Sequence, residues 1–145
     1  MGGLIIAGTV VADTLQAAST SQLVIQNGVA STPPTFADSA GTQIGTLCRA
    51  WVNFNGTSAS PITPRASFNV SSVTKNGTGD YTVNFTTAMP DANYSWSAIG
   101  SDIASLRRTF APYTSAPTAS AFRFLVTDSA SNQVDVVYNA VSIFR

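Results

Sequence analysis

Residues 65–90, RASFNVSSVTKNGTGDYTVNFTTAMP, decide the fold. Apolar residues alternate with polar ones along both arms of this stretch: Ala66, Phe68 and Val70 on the first arm, and Tyr81, Val83 and Phe85 on the second. Because successive side chains of a strand point to opposite faces, this period of two predicts a strand with one apolar face on each arm. The residues NGTGD at 76–80 tolerate the positive φ that a reversal needs. The stretch therefore predicts a β-hairpin.

One irregularity interrupts the first arm. The step from Val70 to Val73 breaks the alternation, which predicts a β-bulge at Ser71 and Ser72 that turns Val73 inward. After the second arm, the proline of the pair Pro90-Asp91 presets φ and cannot donate to a ladder, so that this pair predicts a turn.

Similar alternation continues on both sides of the hairpin. It predicts strands over residues 47–55, 93–100, 106–110, 121–128 and 133–145. No window of ten residues shows a helical stripe. Short strands at intervals of about 8–12 residues, with turn signals between them, are typical of a β-sandwich. We therefore expect an all-β fold, an antiparallel β-sandwich over residues 46–145.

The first 45 residues have a different pattern. Residues 4–11 and 22–26 are short β-prone runs, whereas 13–21 could form either a strand connection or a helical turn. Residues 27–45 predict a loop, which is unusually long for a compact domain. Two apolar strands without a core of their own need a partner. We expect residues 1–45 to form an extended β arm that lies against another subunit or protein.

Composition narrows the classes of function. The net charge is zero and 10% of the residues are charged, so there is no electrostatic footprint for nucleic acid or for an anionic membrane. A small monomer normally keeps a charged surface, so this neutral chain favours an oligomer, with a neutral Ser/Thr-rich monomer as the alternative. Neither a signal peptide nor a membrane span is apparent, which predicts synthesis in the cytoplasm.

Groups for catalysis or metal binding are scarce. The chain contains neither His nor Glu, which excludes a Ser-His-Asp arrangement, and Asp80 and Asp91 are typical turn residues. Cys48 stands alone and predicts a buried small side chain. Asp128, Asn132 and Asp135 could hold a calcium ion or simply form a solvated turn. We expect a protein that is not an enzyme and has no cofactor and no metal.

Binding is the remaining possibility. Four aromatic residues could stack on sugar rings: Trp51, Trp96, Tyr94 and Tyr113. A Trp on an alternating strand is more often part of a core or an interface. Charge and aromatics cluster in one place, at Arg107, Arg108, Phe110 and Tyr113. Because Arg and Tyr are favoured at recognition hot spots, these four residues are candidates for a receptor contact, with a solvated strand end as the alternative.

A family resemblance lies in the same region. Residues 69–94, NVSSVTKNGTGDYTVNFTTAMPDANY, with LCRAWVNFNGT at 47–57 upstream, resemble the C-terminal domain of bacteriophage tail fibres and related virion proteins. The match runs over about residues 36–91. It brings no catalytic motif. It implies a homotrimeric virion part, often one that binds the host.

These observations combine into one expectation. We expect residues 1–45 to intertwine in the trimer and to attach to other tail or baseplate proteins. We expect residues 46–145 to contact a host glycan or outer-membrane protein through distal loops at 101–105 and 111–120. The product is made in the host cytoplasm and located in the virion. Two alternatives stay open: a structural adaptor or decoration protein of the virion without receptor binding, and a non-catalytic carbohydrate-binding module of a cellular protein.

Overall fold

The structure, a computed structural model, describes Ile25 and residues 34–102, 108–114 and 117–145. The chain divides into two units, Met1–Pro34 and Thr35–Arg145. Apart from Ile25 and Pro34, the first unit lies outside the described residues, and with it lie the predicted runs at 4–11, 13–21 and 22–26. The intertwined arm therefore stays a prediction.

The described residues form strands and contain no helix. In chain order the strands are β1 Phe36–Ala37, β2 Gln43–Gly45, β3 Cys48–Phe54, β4 Ala66–Phe68, β5 Val70–Gly77, β6 Asp80–Phe85, β7 Ser95–Ser101, β8 Thr109–Pro112, β9 Ala121–Thr127 and β10 Tyr138–Phe144. Two sheets have four antiparallel strands each, in the order β4-β3-β10-β7 (the first sheet) and β5-β6-β9-β8 (the second sheet). β1 and β2 form a separate small hairpin. The all-β, antiparallel prediction is confirmed.

Among the described residues, one hydrophobic core fills the space between the two sheets. Phe54 of the first sheet meets Tyr81 and Phe124 of the second with ring centroids 5.2 and 6.4 Å apart. The inward positions are fully or nearly fully buried on every central strand: Ala50, Val52, Phe54, Val73, Tyr81, Val83, Phe122, Phe124, Val126, Val141 and Ile143. The faces predicted from the alternation of β3, β6 and β9 are thus confirmed.

The central hairpin exists over residues 70–85. β5 and β6 pair in antiparallel fashion, and the register shifts between Val70 and Ser72 as the bulge prediction requires. Val73 is completely buried. The chain reverses at Thr78 and Gly79, and Gly79 has a φ of +64° that favours glycine.

The prediction for the start of the first arm is wrong. Ala66 and Phe68 belong to β4, which pairs with β3 in the first sheet, and both side chains are exposed. The chain changes sheets at Asn69, whose φ of +54° breaks the strand. The Asn69 side chain binds the backbone of Arg49 and Thr87 at 2.7–3.0 Å and so holds this crossing in place.

Three further segments differ from the expectation. The predicted loop at 27–45 contains the β1–β2 hairpin. The domain boundary at 45/46 stays a prediction. Of the predicted strand at 106–110, residues up to 107 lie outside the described part, and β8 continues to Pro112. Of the predicted strand at 133–145, only Tyr138–Phe144 forms a strand. In this strand Asn139 is buried and Tyr138 is exposed.

Candidate functional site

The residues nominated for receptor contact occupy different environments. Arg107 lies outside the described residues. Arg108 pairs with the carboxylate of Asp102, and its side chain is only 7% exposed. Phe110 is half-buried, and its ring stacks on that of Phe124 with 6.0 Å between the centroids. Structural contacts therefore hold both Arg108 and Phe110, and their part in host binding stays a prediction.

Tyr113, directly after β8, belongs to a different cluster. The guanidinium carbon of Arg123 lies 3.7 Å from the centroid of the Tyr113 ring. The same guanidinium donates from Nε to Oδ1 of Asp80 at 2.9 Å and from Nη2 to Oδ2 at 2.6 Å. A carboxylate, a planar cation and an aromatic ring are thus joined in one cluster at the surface of the second sheet.

Strand register brings these three residues together. Arg123 stands on β9 between the buried Phe122 and Phe124, so its side chain must point to the outer face. It lies opposite Thr82 of β6, and Asp80 is the next outward residue on that strand. On the other side of β9, the Tyr113 amide donates to the Arg123 carbonyl at 3.0 Å, which places the Tyr113 ring beside the guanidinium.

The cluster contains an ion pair, Asp80 and Arg123. The hydrogen bonds from Arg123 hold the pKa of the Asp80 carboxyl below its ordinary value, against the opposing effect of partial burial. The bond to Asp80 likewise raises the pKa of the Arg123 guanidinium. The pair is therefore ionised at any physiological pH. Its two parallel bonds fix the plane of the guanidinium, while 34% of the Arg123 side chain stays exposed.

Neutral hydrogen-bonding groups surround the cluster. Asn76 donates to Asp80 at 3.2 Å and to the Thr82 hydroxyl at 2.9 Å. Asn84 donates to the hydroxyls of Ser72 and Thr74 at 2.9 and 3.2 Å. We call this outer side of the second sheet the polar face; its main members are Ser72, Thr74, Asn76, Thr82, Asn84, Arg123 and Thr127. It offers hydroxyl and amide groups in both donor and acceptor roles.

Sequence reasoning found Tyr113 but missed its partners. The sequence predicts a turn residue at Asp80, yet its carboxylate accepts bonds from the side chains of Asn76 and Arg123. The alternation of β6 and β9 did place Thr82 and Arg123 on the outer faces. No local signal showed that these two strands are neighbours, because their pairing spans some forty residues of chain. Asp91 does bind nearby backbone, at the Asn93 amide, as expected for a turn.

The other aromatic candidates lie elsewhere. Tyr94 is buried and donates from its hydroxyl to the Ala121 carbonyl at 3.0 Å. Trp96 packs partly buried against Phe122, with 5.1 Å between ring centroids. Trp51 is 38% exposed, on the outer face of the first sheet. These three aromatics are therefore separate from the cluster at Arg123.

The possible calcium ligands are also divided. Asp128 accepts the amides of Ala130 and Asn132 at 2.9 Å, which is the geometry of a turn. Asp135 instead pairs with Lys75 at 2.5 Å. Within the described ranges, no group of three or more His, Cys, Asp or Glu could hold a metal ion. Over the same residues, no helix is long and apolar enough to cross a membrane.

Comparisons with known proteins give a structural likeness to a phage tailspike. Neither a protein-family profile nor a curated protein sequence matches the chain. Among solved structures, the chain is similar to the phiAB6 tailspike, determined in complex with three-repeated oligosaccharides of the Acinetobacter baumannii surface polysaccharide. The sequence identity is 16% and the TM-score is 0.47, over 85% of this chain and 30% of that chain. The chain thus spans less than a third of the tailspike, and no residue role is carried across.

Proposed function

We propose that this chain is a bacteriophage tail fibre, a non-enzymatic virion protein that binds a glycan on the host surface through the polar face of its β-sandwich. The resemblance of residues 36–91 to tail-fibre domains supports the virion context. The observation that carries the host contact is the Arg123–Tyr113 pair beside Asp80. Tyr113 also lies in the loop at 111–120, one of the two loops expected to face the host.

The chemistry of the polar face suits a sugar. Sugar hydroxyls both donate and accept hydrogen bonds, and the groups on this face include amides, hydroxyls and a fixed guanidinium–carboxylate pair. Arg123 is accessible to a ligand because a third of its side chain is exposed. Arg and Tyr are over-represented where binding energy is concentrated. A neutral polar surface of this kind selects an uncharged or weakly charged glycan rather than a polyanion.

A competition experiment tests this proposal. Excess purified full chain should block adsorption of the phage that carries its gene to that phage's bacterial host. Arg123→Lys keeps the positive charge near Asp80 but loses the two-bonded fork, and Tyr113→Ser removes the ring. Each variant should compete at least about tenfold less well than the wild type, which corresponds to the loss of one recognition contact.

Arg145→Ala is the matched control. It breaks another Arg–Asp pair, with Asp91, in which the two side chains are 40% and 38% exposed. This variant should compete like the wild type. The thermal midpoint of each variant shows whether the fold is intact. Full competition by folded Arg123→Lys and Tyr113→Ser would mean that the polar face does not contact the host.

Treatment of the host cells tests whether the receptor is a glycan or a protein. Periodate oxidises vicinal diols of surface glycans, whereas protease removes exposed loops of outer-membrane proteins. We expect binding of the fluorescently labelled chain to be lost after periodate and kept after protease. The reverse result would identify a protein receptor and contradict the glycan proposal.

We propose that residues 1–45 attach the chain to other proteins of the phage tail. We expect the chain without these residues to keep a folded β-sandwich, because the paired strands of both sheets lie beyond them. It should be absent from phage particles, as immunogold labelling would show. An unfolded truncated chain would place the domain boundary before residue 45.

An adaptor or decoration protein of the virion is the second candidate. The observation that favours it is the exposed apolar outer face of the first sheet, with Ile99 72% and Phe68 55% exposed. Such a protein would be labelled on intact particles but would not compete for adsorption. A cellular carbohydrate-binding module would bind the glycan and be absent from particles.

A further inference from the structure

Asparagine followed by glycine is a pair with its own chemistry. Asparagine is among the thermolabile residues, and a following glycine has no side chain to keep its backbone nitrogen away from the asparagine side-chain amide. The sequence has three such pairs, at 27–28, 55–56 and 76–77. The first lies outside the described residues. The structure places the other two in opposite environments.

The pair Asn55-Gly56 is held rigidly. Gly56 is buried, and its amide donates to the Val136 carbonyl at 2.9 Å. An added Cβ at Gly56 would lie 2.5 Å from the Tyr81 hydroxyl oxygen, so there is no free space beside this backbone. The side-chain oxygen of Asn55 accepts bonds from the amide and the hydroxyl of Thr57 at 3.1 and 2.8 Å. The Asn55 side chain is therefore fixed, and the Gly56 nitrogen is occupied.

The pair Asn76-Gly77 lies open at the end of the central hairpin. Both residues are exposed, and no atom lies within 4 Å of an added Cβ at Gly77. The register passes from Lys75 opposite Tyr81 to Gly77 opposite Asp80, which leaves Asn76 as the extra residue of a β-bulge. The backbone at Asn76 thus departs from the regular ladder. A ring can form here without displacing other atoms of the protein.

The reaction that this environment permits is deamidation. The backbone nitrogen of Gly77 loses its proton to water, attacks Cγ of Asn76, and expels Nδ2 as ammonia. The product is a five-membered succinimide, and water opens it at either carbonyl to give aspartate or isoaspartate. One water is consumed and one ammonia is released for each residue converted. The step needs neither an oxidant nor another protein, and it adds one negative charge.

That charge would appear beside the cluster at Arg123. In the intact residue, Nδ2 of Asn76 donates to Oδ1 of Asp80 at 3.2 Å and to the Thr82 hydroxyl at 2.9 Å. A carboxylate cannot donate these bonds, and it repels the carboxylate of Asp80, which is 7% exposed. The new carboxylate also competes with Asp80 for the guanidinium that stacks on Tyr113.

We infer that Asn76 is a site of spontaneous deamidation, and that its conversion weakens the cluster of Asp80, Arg123 and Tyr113. A decline of host binding as the protein ages follows from this inference and rests on the proposed function. The modification and its effect on stability do not rest on it.

Peptide mapping of the folded full chain tests the modification. Cleavage after Lys and Arg places Asn55 in the peptide 50–65 and Asn76 in the peptide 76–107. During incubation at mildly alkaline pH, conversion adds about 1 Da to a peptide, and fragment spectra locate the residue. Asn76 should convert at least about tenfold faster than Asn55. In urea the two rates should become similar, because the difference belongs to the fold.

Gly77→Ala is the matched control. Its added methyl group has free space in the folded chain but hinders the attack on Asn76, so this variant should convert at least about tenfold more slowly at that residue. Equal rates at Asn55 and Asn76 in the folded chain would overturn the inference. A wild-type rate at Asn76 in Gly77→Ala would do the same.

Two substitutions test the effect of the charge. Asn76→Asp and Asn76→Ala both remove the amide donors, and Asn76→Asp alone adds a carboxylate. At pH 7 the thermal midpoint of Asn76→Asp should lie below that of Asn76→Ala, because only the former repels Asp80. Equal midpoints would contradict the weakening of the cluster.

Adsorption competition separates this inference from the proposed host contact. Aged wild-type chain should lose competition in proportion to the fraction converted at Asn76, and equally aged Gly77→Ala should keep it. Full competition by converted chain, when Tyr113→Ser does not compete, would overturn the inference. Full competition by Tyr113→Ser would contradict the host contact alone, since the peptide map and the midpoints still decide the modification.

Discussion

Tyr81 donates a hydrogen bond of 2.6 Å from its hydroxyl to Oδ1 of Asp135. The same oxygen accepts the Gly79 amide at 2.8 Å, and the other carboxylate oxygen lies 2.5 Å from Nζ of Lys75, the only lysine of the chain. Lys75 also donates to the carbonyl of Gly56, in the turn after β3, and that carbonyl oxygen lies 3.0 Å from the Tyr81 hydroxyl. The cluster therefore ties the hairpin of the second sheet to segments that enter and leave the first sheet.

Removal of the Tyr81 hydroxyl tests how much this cluster contributes to the free energy of unfolding. Tyr81→Phe keeps the ring against Phe54 but deprives the Asp135 carboxylate of a donor. We expect a loss of about 1.5–3 kcal/mol in the free energy of unfolding, measured in urea, since the bond involves a charged group. Tyr94→Phe is the control, because the Tyr94 hydroxyl donates to a neutral carbonyl, that of Ala121, and the substitution should cost about 0.5–1.5 kcal/mol. Equal losses would mean that the charge of Asp135 adds nothing.

The carboxylates of Asp135 and Asp80 should make the stability of the fold sensitive to acid. Burial alone would raise the pKa of Asp135, but the bonds from Gly79, Lys75 and Tyr81 together hold that pKa below the ordinary value of 3.8, and Arg123 does the same for the pKa of Asp80. Groups with a lowered pKa in the folded state stabilise it fully above their ordinary pKa. The thermal midpoint should therefore be steady from pH 7 to about pH 5 and fall as the pH drops through 3.8 and below.

Asp135→Asn separates this effect from general acid unfolding. The variant should be less stable than the wild type at pH 7, because the ammonium of Lys75 loses its counter-charge. Its midpoint should also fall less steeply in acid, since one of the carboxyls with a lowered pKa is gone. A wild-type slope below pH 4 in this variant would contradict the assignment.

Two glycines of the hairpin make a matched pair. At Gly79, with φ at +64°, an added Cβ would lie 2.5 Å from the Val126 carbonyl oxygen and 2.7 Å from the Val134 amide nitrogen. At Gly77, no atom lies within 4 Å of an added Cβ. Gly79→Ala should lower the free energy of unfolding by about 2–4 kcal/mol, from backbone strain and overpacking. Gly77→Ala should change it by no more than about 1 kcal/mol in either direction. Similar effects of both substitutions would mean that the turn is placed wrongly.

Asn69 is expected to hold the crossing between the sheets. Asn69→Gly accepts the positive φ but loses the side-chain bonds to Arg49 and Thr87. Asn69→Ala loses both the bonds and the conformational tolerance. In urea unfolding, Asn69→Ala should cost about 1–2 kcal/mol more than Asn69→Gly, which is the penalty of a left-handed alanine. Equal costs would show that only the hydrogen bonds matter.

Much of the sandwich is readable from local alternation. The burial of Val52 and Phe54 on β3, and of Phe122 and Phe124 on β9, agrees with their phase in the sequence. So do the hairpin turn at Gly79 and the bulge before Val73. These features depend on neighbours within a few residues, because a strand with one buried face repeats its pattern every second position.

Long-range pairing decided the rest. The alternation of residues 66–70 is continuous, yet Phe68 lies on an exposed face of one sheet and Val70 starts a strand of the other, because Asn69 changes the chain's direction through bonds to residues distant in sequence. In the same way, Asp80 meets Arg123 and Tyr113 only through the order β6-β9-β8. Alternation specifies which side chains share a face of a strand. Which strands become neighbours depends on the packing of the whole core, and that packing alone assembled the candidate site.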